Sequence, residues 1–182
     1  KKVLSNQLGV KFFLNHKVSV VKNNGKNVTV TALSSNDEEI KIDADYCLIS
    51  IGRKPYTENL SLDKAGVEVD SSGRIRVDNM LQTTQSGIFA IGDVVEGAML
   101  AHKAEEEGVF VAEILAGQKP HINHNLIPNV VYTWPEVASV GFSEEKLKAE
   151  KRKYKVGVFP FKANGRAKIS MDTDGFVKII AD

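Results

Sequence analysis

Three β-type runs near the start of the chain constrain its fold more than any other feature of the sequence. Two β-branched runs, residues 18–21 and 28–31, flank the dipeptide Asn24-Gly25. Asn-Gly between such runs is the strongest short-range signal for a β-hairpin. A third run, residues 39–44, alternates between apolar and polar side chains, which is typical of a strand with one buried face. The sequence therefore predicts a three-stranded antiparallel meander.

The segments around this meander favour an α/β fold. An amphipathic stretch at the start of the chain predicts the end of a helix that stops at Gly9. Residues 10–14 predict a short strand. Residues 46–51 are nearly all apolar, as in a strand that is covered on both faces of a parallel sheet. A helix, an antiparallel meander and a buried strand in this order predict half of a nucleotide-binding α/β domain.

The middle of the chain predicts a strand, a carboxylate and a helix in sequence. Residues 88–91 form a short apolar run that ends in Gly92-Asp93. A helical period begins near Leu100 and is expected to stop at Gly117. Its apolar repeat, at spacings of three and four, consists of Ala101, Ala104, Gly108, Val111, Ala112 and Leu115. A short hairpin is expected around residues 70–73.

The last third of the chain reads as a separate α+β region. A polar connector with two prolines occupies residues 119–128. After it we expect a strand at residues 129–133, a helix at 143–149, and strands at 154–161 and 175–180. The predicted domains are therefore residues 1–52, 53–122 and 123–182.

Composition excludes several classes of function. The 24 basic and 23 acidic residues give a net charge of +1, which provides no field for nucleic acid or an anionic membrane. No apolar run approaches the roughly 20 residues that span a bilayer. The single cysteine, Cys47, is expected to be a small buried core residue. Without a disulfide framework or a cluster of metal ligands, we expect a reducing compartment and no metal site.

Asp93 is the candidate for ligand binding. A carboxylate at the carboxyl end of a strand lies where ligands bind in open α/β sheets, and it can accept hydrogen bonds from sugar-type hydroxyls. The helix that begins near Leu100 would direct unpaired amides to the same place. A hydroxylated chain with an electron-rich group, such as a flavin with its ribityl chain, satisfies both demands. The alternative is an ordinary strand–loop–helix in which Asp93 caps the helix.

Several strings in the chain resemble a known family. Thr83 followed by Ile88 to Asp93 is similar to the second FAD signature of the flavoprotein disulfide reductases. Within that group the chain most resembles the dihydrolipoyl dehydrogenases. The residues that carry this resemblance are 52–55, 59–60, 99–108, 132–138, 140–141, 159–161, 163–164 and 166–168. The resemblance implies an α/β fold, the second parts of the NAD- and FAD-binding domains, followed by the start of an α+β dimerisation domain.

The resemblance also implies roles for particular residues. Asp93 would bind the ribityl hydroxyls of FAD, and Met99, Leu100, Ala101 and His102 would contact the flavin ring through backbone groups. Gly52 and Val18 would contact NAD, although Gly52 could equally be a simple turn glycine and Val18 a core residue. The resemblance gives His102 a positional role rather than proton transfer. The other histidines, His16, His121 and His124, are expected to be solvated surface residues.

The resemblance implies an enzyme that oxidises dihydrolipoamide with NAD⁺ through FAD and a cysteine pair. It also implies a homodimer, a lipoyl-bearing acyltransferase of a 2-oxoacid dehydrogenase complex as partner, and a location in the cytoplasm or the mitochondrial matrix. The cysteine pair, both Gly-x-Gly-x-x-Gly fingerprints and the His-Glu dyad of the mechanism do not occur in these residues. We therefore expect an internal piece of the enzyme that carries no catalytic residue and is inactive alone.

Two alternatives stay open. The first is another FAD disulfide reductase, such as a glutathione or mercuric reductase or a soluble transhydrogenase. The residues from Leu100 to Ala104 argue against it. The second is a non-catalytic dimerisation module that descended from the enzyme. Its weakness is that both chain ends cut through predicted secondary structure, which a selected stand-alone module would avoid.

Overall fold

The predicted meander is confirmed in the computed structural model, which describes all residues from 1 to 182. Strands β1 (Lys17–Asn23), β2 (Val28–Leu33) and β3 (Glu39–Ala44) form one antiparallel sheet in the order β1-β2-β3. Gly25 has a positive φ of 91° in the first turn, and its N–H donates to Asn23 Oδ1 at 2.8 Å. The β1–β2 register is irregular between Val18 and Val20, which marks a bulge near the candidate NAD residue.

Two predicted strands in this first unit, residues 1–52, are wrong. Helix α1 (Lys2–Leu8) ends as expected at Gly9, which adopts the left-handed conformation. Residues 10–14 and 46–51, however, form no strand, and most of their side chains are exposed. Cys47 is only half-buried. A strand of this type needs hydrogen-bonded neighbours, and neither segment pairs with a strand of the meander.

The second unit, residues 53–182, begins with short bridged turns. Isolated bridges join Val69 to Ile75, Val77 to Thr83 and Gln82 to Phe89. The predicted hairpin at residues 70–73 is confirmed by the first of these bridges. A buried cluster forms the core of this part: Val67, Ile75, Ala90 and Val95.

The predicted strand at residues 88–91 is wrong in extent. Only Phe89 pairs, through its single bridge to Gln82, and both Ile88 and Ile91 are partly exposed. The segment passes directly into a 3₁₀ turn, Gly92–Val94. One bridge cannot propagate a ladder, so Asp93 lies in a turn after an extended segment rather than at the end of a strand.

The long helix α2 (Ala101–Leu115) is confirmed, as is its stop at Gly117. Gly117 has a φ of 77°, its N–H donates to the Ile114 carbonyl, and the Gln118 N–H donates to the Glu113 carbonyl. This is a Schellman motif. The buried residues of α2 are Lys103, Glu107 and Phe110, which lie about a third of a turn from the apolar repeat.

The C-terminal elements that were predicted occur in the predicted order. Separately, no helix in the chain has the length and apolar character that a membrane span requires. Strands β4 (Asn129–Val131) and β5 (Val137–Ser139) pair, and β6 (Lys155–Pro160) pairs with β7 (Phe176–Ala181). Helix α3 (Glu144–Ala149) is capped by the Ser143 hydroxyl. Strand β5 was not predicted, and neither was helix α4 (Gly165–Ile169), which is capped by Asn164. Leu147 is the one buried hydrophobic residue here, while many apolar strand residues are exposed.

Candidate cofactor site

Asp93 lies at a cavity beside the start of α2. The cavity has a volume of about 500 Å³ and is lined by Arg53, Ile91, Gly92, Asp93, Met99, Ala101 and Ala104. Asp93 is half-buried, and no side chain or amide of the chain bonds its carboxylate. A carboxylate that is partly shielded from water and has no partner is suited to accept hydrogen bonds from a ligand.

The N-terminus of α2 carries no side-chain cap. Leu100 occupies the N-cap position, and no acidic residue lies in the first turn. The first backbone bond of the helix is donated by Ala104 to the Leu100 carbonyl, so the amides of residues 101–103 have no helical acceptor. Unpaired amides and the positive end of the helix dipole favour an electron-rich ligand group.

Gly92 allows the turn before Asp93 to pack closely on α2. Its φ is 74°, in the left-handed region that favours glycine. A Cβ at this position would lie 3.1 Å from the Ala104 Cβ, which is tighter than normal packing. Glycine is therefore required here both for backbone conformation and for the approach of the turn to the helix.

A buried ion pair on α2 binds the backbone of Gly92. Lys103 and Glu107 are 1% and 0% exposed, and Lys103 Nζ lies 2.8 Å from Glu107 Oε1. Lys103 Nζ donates to the Gly92 carbonyl at 3.2 Å, and the Gly92 N–H donates to Glu107 Oε2 at 2.7 Å. Both polar groups of this one residue are thus bonded to charged side chains.

His124 reaches the same ion pair from the connector after α2. Its Nε2 donates to Glu107 Oε1 at 2.9 Å, and its side chain is 48% exposed. His124 is exposed at the surface, as expected, but its bond to the buried Glu107 carboxylate was not predicted. His121 and His124 line a second cavity of about 720 Å³, together with Leu100, Lys103 and Glu107.

His102 is held away from the Asp93 cavity. Its Nε2 lies 2.7 Å from the Pro128 carbonyl oxygen. A carbonyl oxygen only accepts, so Nε2 carries the proton and donates. The structure thus brings Asp93, Met99 and Ala101 to one cavity, whereas Leu100 lines the other cavity and His102 bonds the connector.

The two candidate NAD residues lie in the first unit. Val18 is an exposed residue of β1 that pairs with Ala32 beside the bulge. Gly52 has a φ of 95°, and a Cβ added there would meet no atom within 4 Å. The positive φ, rather than a close neighbour, explains why glycine suits this position.

Lys103 and Glu107 are residues of this site that were not predicted from the sequence. Charged residues are rarely buried unless they are paired, so a helix face that carries Lys103 and Glu107 is not expected to be buried. The signal that could have found them is their i,i+4 spacing, which places the two charges side by side on one face of a helix. A Lys and a Glu at this spacing are usually a surface pair, so the pattern alone does not predict burial.

Models of two protein domains match the chain. The pyridine nucleotide-disulphide oxidoreductase model matches residues 1–108, and the dimerisation-domain model of the same group matches residues 127–182. The chain belongs to the pyridine nucleotide-disulphide oxidoreductase family. The second match places residues 127–182 in a dimerisation domain.

Known members of the family are similar over nearly all of the chain. Mitochondrial dihydrolipoyl dehydrogenases of Mus musculus and Caenorhabditis elegans are 51% and 50% identical over 183 and 175 residues. The dihydrolipoyl dehydrogenase of Cupriavidus necator is 51% identical over 174 residues. These alignments cover 96–99% of the chain but only 35–37% of the relatives. The chain therefore spans little more than a third of the length of the curated relatives it matches.

Solved structures of the family have the same fold. LpdA of Mycobacterium tuberculosis superposes with a TM-score of 0.86 at 28% identity, covering 97% of this chain and 38% of that one. The Cu(II) complex of the HOCl-induced flavoprotein disulfide reductase RclA from Escherichia coli gives a TM-score of 0.84 at 30% identity, covering 100% and 40%. The α/β class followed by an α+β region is confirmed by these matches.

Proposed function

We propose that the full-length product containing this chain is a dihydrolipoyl dehydrogenase. Such an enzyme oxidises dihydrolipoamide with NAD⁺ through FAD and a cysteine pair. The observation that carries the proposal is the identity of about half of all residues to relatives of that name, over nearly the whole chain. The chain has one cysteine, Cys47, so the pair must come from outside these residues.

In this proposal the chain supplies the ribityl and ring end of the FAD site. The unpartnered Asp93 carboxylate would accept hydrogen bonds from the ribityl hydroxyls. The uncapped first turn of α2 would direct amides to the electron-rich edge of the ring. Bound FAD would supply the hydride and electron transfer. The chain's own residues would bind and orient it, and we assign no catalytic residue to them.

The predicted ring contacts are backbone contacts of residues 99–102. The side chains of Leu100 and His102 are directed elsewhere, to the second cavity and to the Pro128 carbonyl. Their role beside the flavin would therefore have to involve N–H and C=O groups. The side chains of Met99 and Ala101 line the Asp93 cavity and could also pack against the ring.

The first unit would contribute part of an NAD site. Val18, exposed beside the bulge of β1, offers an apolar surface for the adenine. Gly52, with its positive φ, ends this unit and offers a backbone without a side chain for close approach of the nucleotide. The proposed domains are residues 1–52, 53–122 and 123–182, and the division between the two compact units falls at residue 52.

The C-terminal region would form the subunit interface and the enzyme would work within a larger complex. Its strand residues Val131, Val137, Phe159 and Ile179 are exposed, as expected of an interface seen without its partner. The proposed partner is the lipoyl-bearing acyltransferase of a 2-oxoacid dehydrogenase complex. The proposed compartment is the cytoplasm or the mitochondrial matrix. The names of several relatives describe those proteins as mitochondrial.

The test is a flavin and activity assay on the protein expressed from the complete reading frame that contains these residues. We expect a yellow protein that reduces NAD⁺ with dihydrolipoamide. Asp93→Asn should lose one charge-assisted contact, worth about 1.5–3 kcal/mol or at least tenfold in FAD affinity. Asp63→Asn, at an exposed aspartate outside the cavity, is the matched control and should bind FAD like the unmodified protein.

A substrate panel separates the proposal from its alternatives. The RclA similarity is the observation that favours another flavoprotein disulfide reductase. The panel contains dihydrolipoamide, glutathione disulfide, Hg(II) and a pair of NADPH with NAD⁺. A clear preference for any of the last three would contradict the proposed substrate while keeping the flavin. A colourless, inactive dimer that takes up no FAD would favour the non-catalytic dimerisation module.

A further inference from the structure

The Gly92 turn is fixed from both sides by one ion pair. Lys103 Nζ binds its carbonyl, and Glu107 Oε2 binds its N–H. Because these two groups define how the chain enters and leaves Gly92, holding them sets the direction of the backbone into Asp93. The carboxylate that would receive the ligand is the next residue along.

We propose that Lys103 and Glu107 are positioning residues of the flavin site, which hold the Gly92 peptide groups and thereby fix the Asp93 carboxylate. The inference rests on the proposed FAD-binding function. Neither side chain lines the cavity that contains Asp93, so they act on the ligand through the backbone and not by contact.

Stability alone does not favour a charged pair at this place. Removing two charges from water costs several kcal/mol per ion, and a buried ion pair can often be replaced by apolar side chains with no loss of stability. Phe110 shows that the same face of α2 accepts an apolar side chain. What an apolar pair could not do is bond the Gly92 N–H and carbonyl.

His124 also binds the ion pair, and its contribution to FAD binding can be measured separately. His124 binds Glu107 Oε1, whereas the Gly92 N–H binds Oε2. Removing the His124 ring therefore leaves both bonds to Gly92 in place. If the pair served only to anchor the connector after α2, His124→Ala would weaken FAD binding as much as loss of the pair does.

The main experiment replaces the ion pair by apolar residues of similar size in the full-length protein. In the double variant Lys103→Met/Glu107→Leu, we expect the FAD dissociation constant of the apoprotein, measured by flavin fluorescence, to rise about tenfold through loss of two hydrogen bonds that hold Gly92. The melting temperature of the apoprotein should fall by no more than a few degrees, because only the buried Gly92 N–H is left without its acceptor. Glu106→Leu, at an exposed position of the same helix, is the control and should leave FAD binding unchanged, as should His124→Ala.

A double-mutant cycle shows whether the pair acts through Asp93. In an Asp93→Asn background the carboxylate is already lost, so the apolar pair should weaken FAD binding by no more than about twofold further. Losses that multiply in full would mean that the pair affects the fold generally, and would overturn the proposal. If the apolar variant does not fold, Glu107→Gln enters the same cycle, because it keeps the size of the side chain and removes its charge.

The outcomes distinguish this inference from the proposed function. If the parent protein binds FAD, Asp93→Asn weakens binding and the folded apolar pair does not, the inference fails and the FAD site stands. If the parent protein binds no FAD at all, both fail. A tenfold loss with the apolar pair that disappears in the Asp93→Asn background is the result we expect.

Discussion

Two Lys–Glu pairs in the second unit show how burial changes the meaning of the same interaction. Lys103 and Glu107 are almost completely enclosed and also bind the Gly92 backbone. Lys178 on β7 and Glu144 on α3 form the other pair, with side chains that are 35% and 22% exposed. The Tyr154 hydroxyl donates a further hydrogen bond to Glu144.

The two pairs differ in what can solvate the charge that remains when one partner is removed. Water can solvate the remaining charge at the surface, so a surface pair contributes little and weakens with salt. The remaining charge at a buried site has no such substitute, and breaking the pair is strongly destabilising. The surface pair links two elements, whereas the buried pair determines a backbone conformation beside a candidate ligand site.

The largest expected effect is that of Lys103→Met. It leaves the Glu107 carboxylate buried without its cation, which should lower the free energy of unfolding by about 3–5 kcal/mol. Urea denaturation of the full-length protein measures this. Lys178→Met is the matched variant in the surface pair and should cause only a small fraction of that loss. Equal losses in the two variants would show that burial does not separate the pairs.

Gly97→Ala should disturb the buried pair without removing a charge. Gly97 has a φ of 113°, and a Cβ there would lie 2.8 Å from the Lys103 Cε. Backbone strain and displacement of the lysine together should cost about 2–4 kcal/mol. Gly117→Ala controls for strain alone, because its φ is 77° and its added Cβ meets nothing. The melting temperatures of both variants measure these effects. If Gly97→Ala loses no more stability than Gly117→Ala does, the predicted clash with Lys103 is contradicted.

His124→Ala tests the contact between the His124 ring and the buried Glu107 carboxylate. It removes one hydrogen bond to Glu107 but leaves Lys103 and both bonds to Gly92. Because the ring is half exposed, water can replace part of the contact, and we expect a loss of about 0.5–1.5 kcal/mol in urea denaturation. A loss as large as that of Lys103→Met would mean that the imidazole, rather than the lysine, is the main partner of Glu107.

The smallest effect, and the one that depends on pH, belongs to the surface pair. The hydrogen bond from Lys178 lowers the pKa of Glu144 below 4.5, and the same bond raises the pKa of Lys178 above 10.5. A carboxyl group whose pKa is lower in the folded state stabilises the fold at pH values above its unfolded pKa, and this stabilisation is lost as the pH falls through the folded pKa. An ammonium group whose pKa is higher in the folded state stabilises the fold at pH values below its unfolded pKa, and this stabilisation is lost as the pH rises through the folded pKa.

The stability difference between the parent and Lys178→Met should therefore be largest between pH 4.5 and 10.5. It should disappear at both extremes and shrink in high salt. Melting temperatures of the two proteins across this range provide the measurement. A difference that persists in strong acid would show that packing of the lysine stem, and not its charge, is responsible.

Elements with local signals were predictable from the sequence. Asn24-Gly25 predicts its hairpin, Gly117 ends its helix, and Ser143 caps α3, because turn and cap chemistry is contained within a few residues. The candidate cavity was predictable to the extent that Asp93 and the start of α2 follow each other closely along the chain. The flavin and NAD assignments themselves stay predictions.

Elements that depend on distant partners were not predictable in this way. Residues 10–14 and 46–51 have strand-like composition, but composition does not provide the neighbouring strand that a ladder needs. The burial of Lys103 and Glu107 depends on Gly92, which is 11 and 15 positions away and offers both a donor and an acceptor. Helical periodicity shows which side chains share a face, and it cannot show which face a polar backbone group will meet.

The uncovered apolar segment at residues 46–51 has a consequence for handling the protein. Its six residues carry no charge, proline or glycine, and Tyr46 and Ile51 are each 91% exposed. Short segments of this composition are the sequence signature of steric zippers in cross-β fibrils. Where no neighbouring strand covers this segment, we expect aggregation of the chain to begin there. The substitution Leu48→Asp should suppress that aggregation.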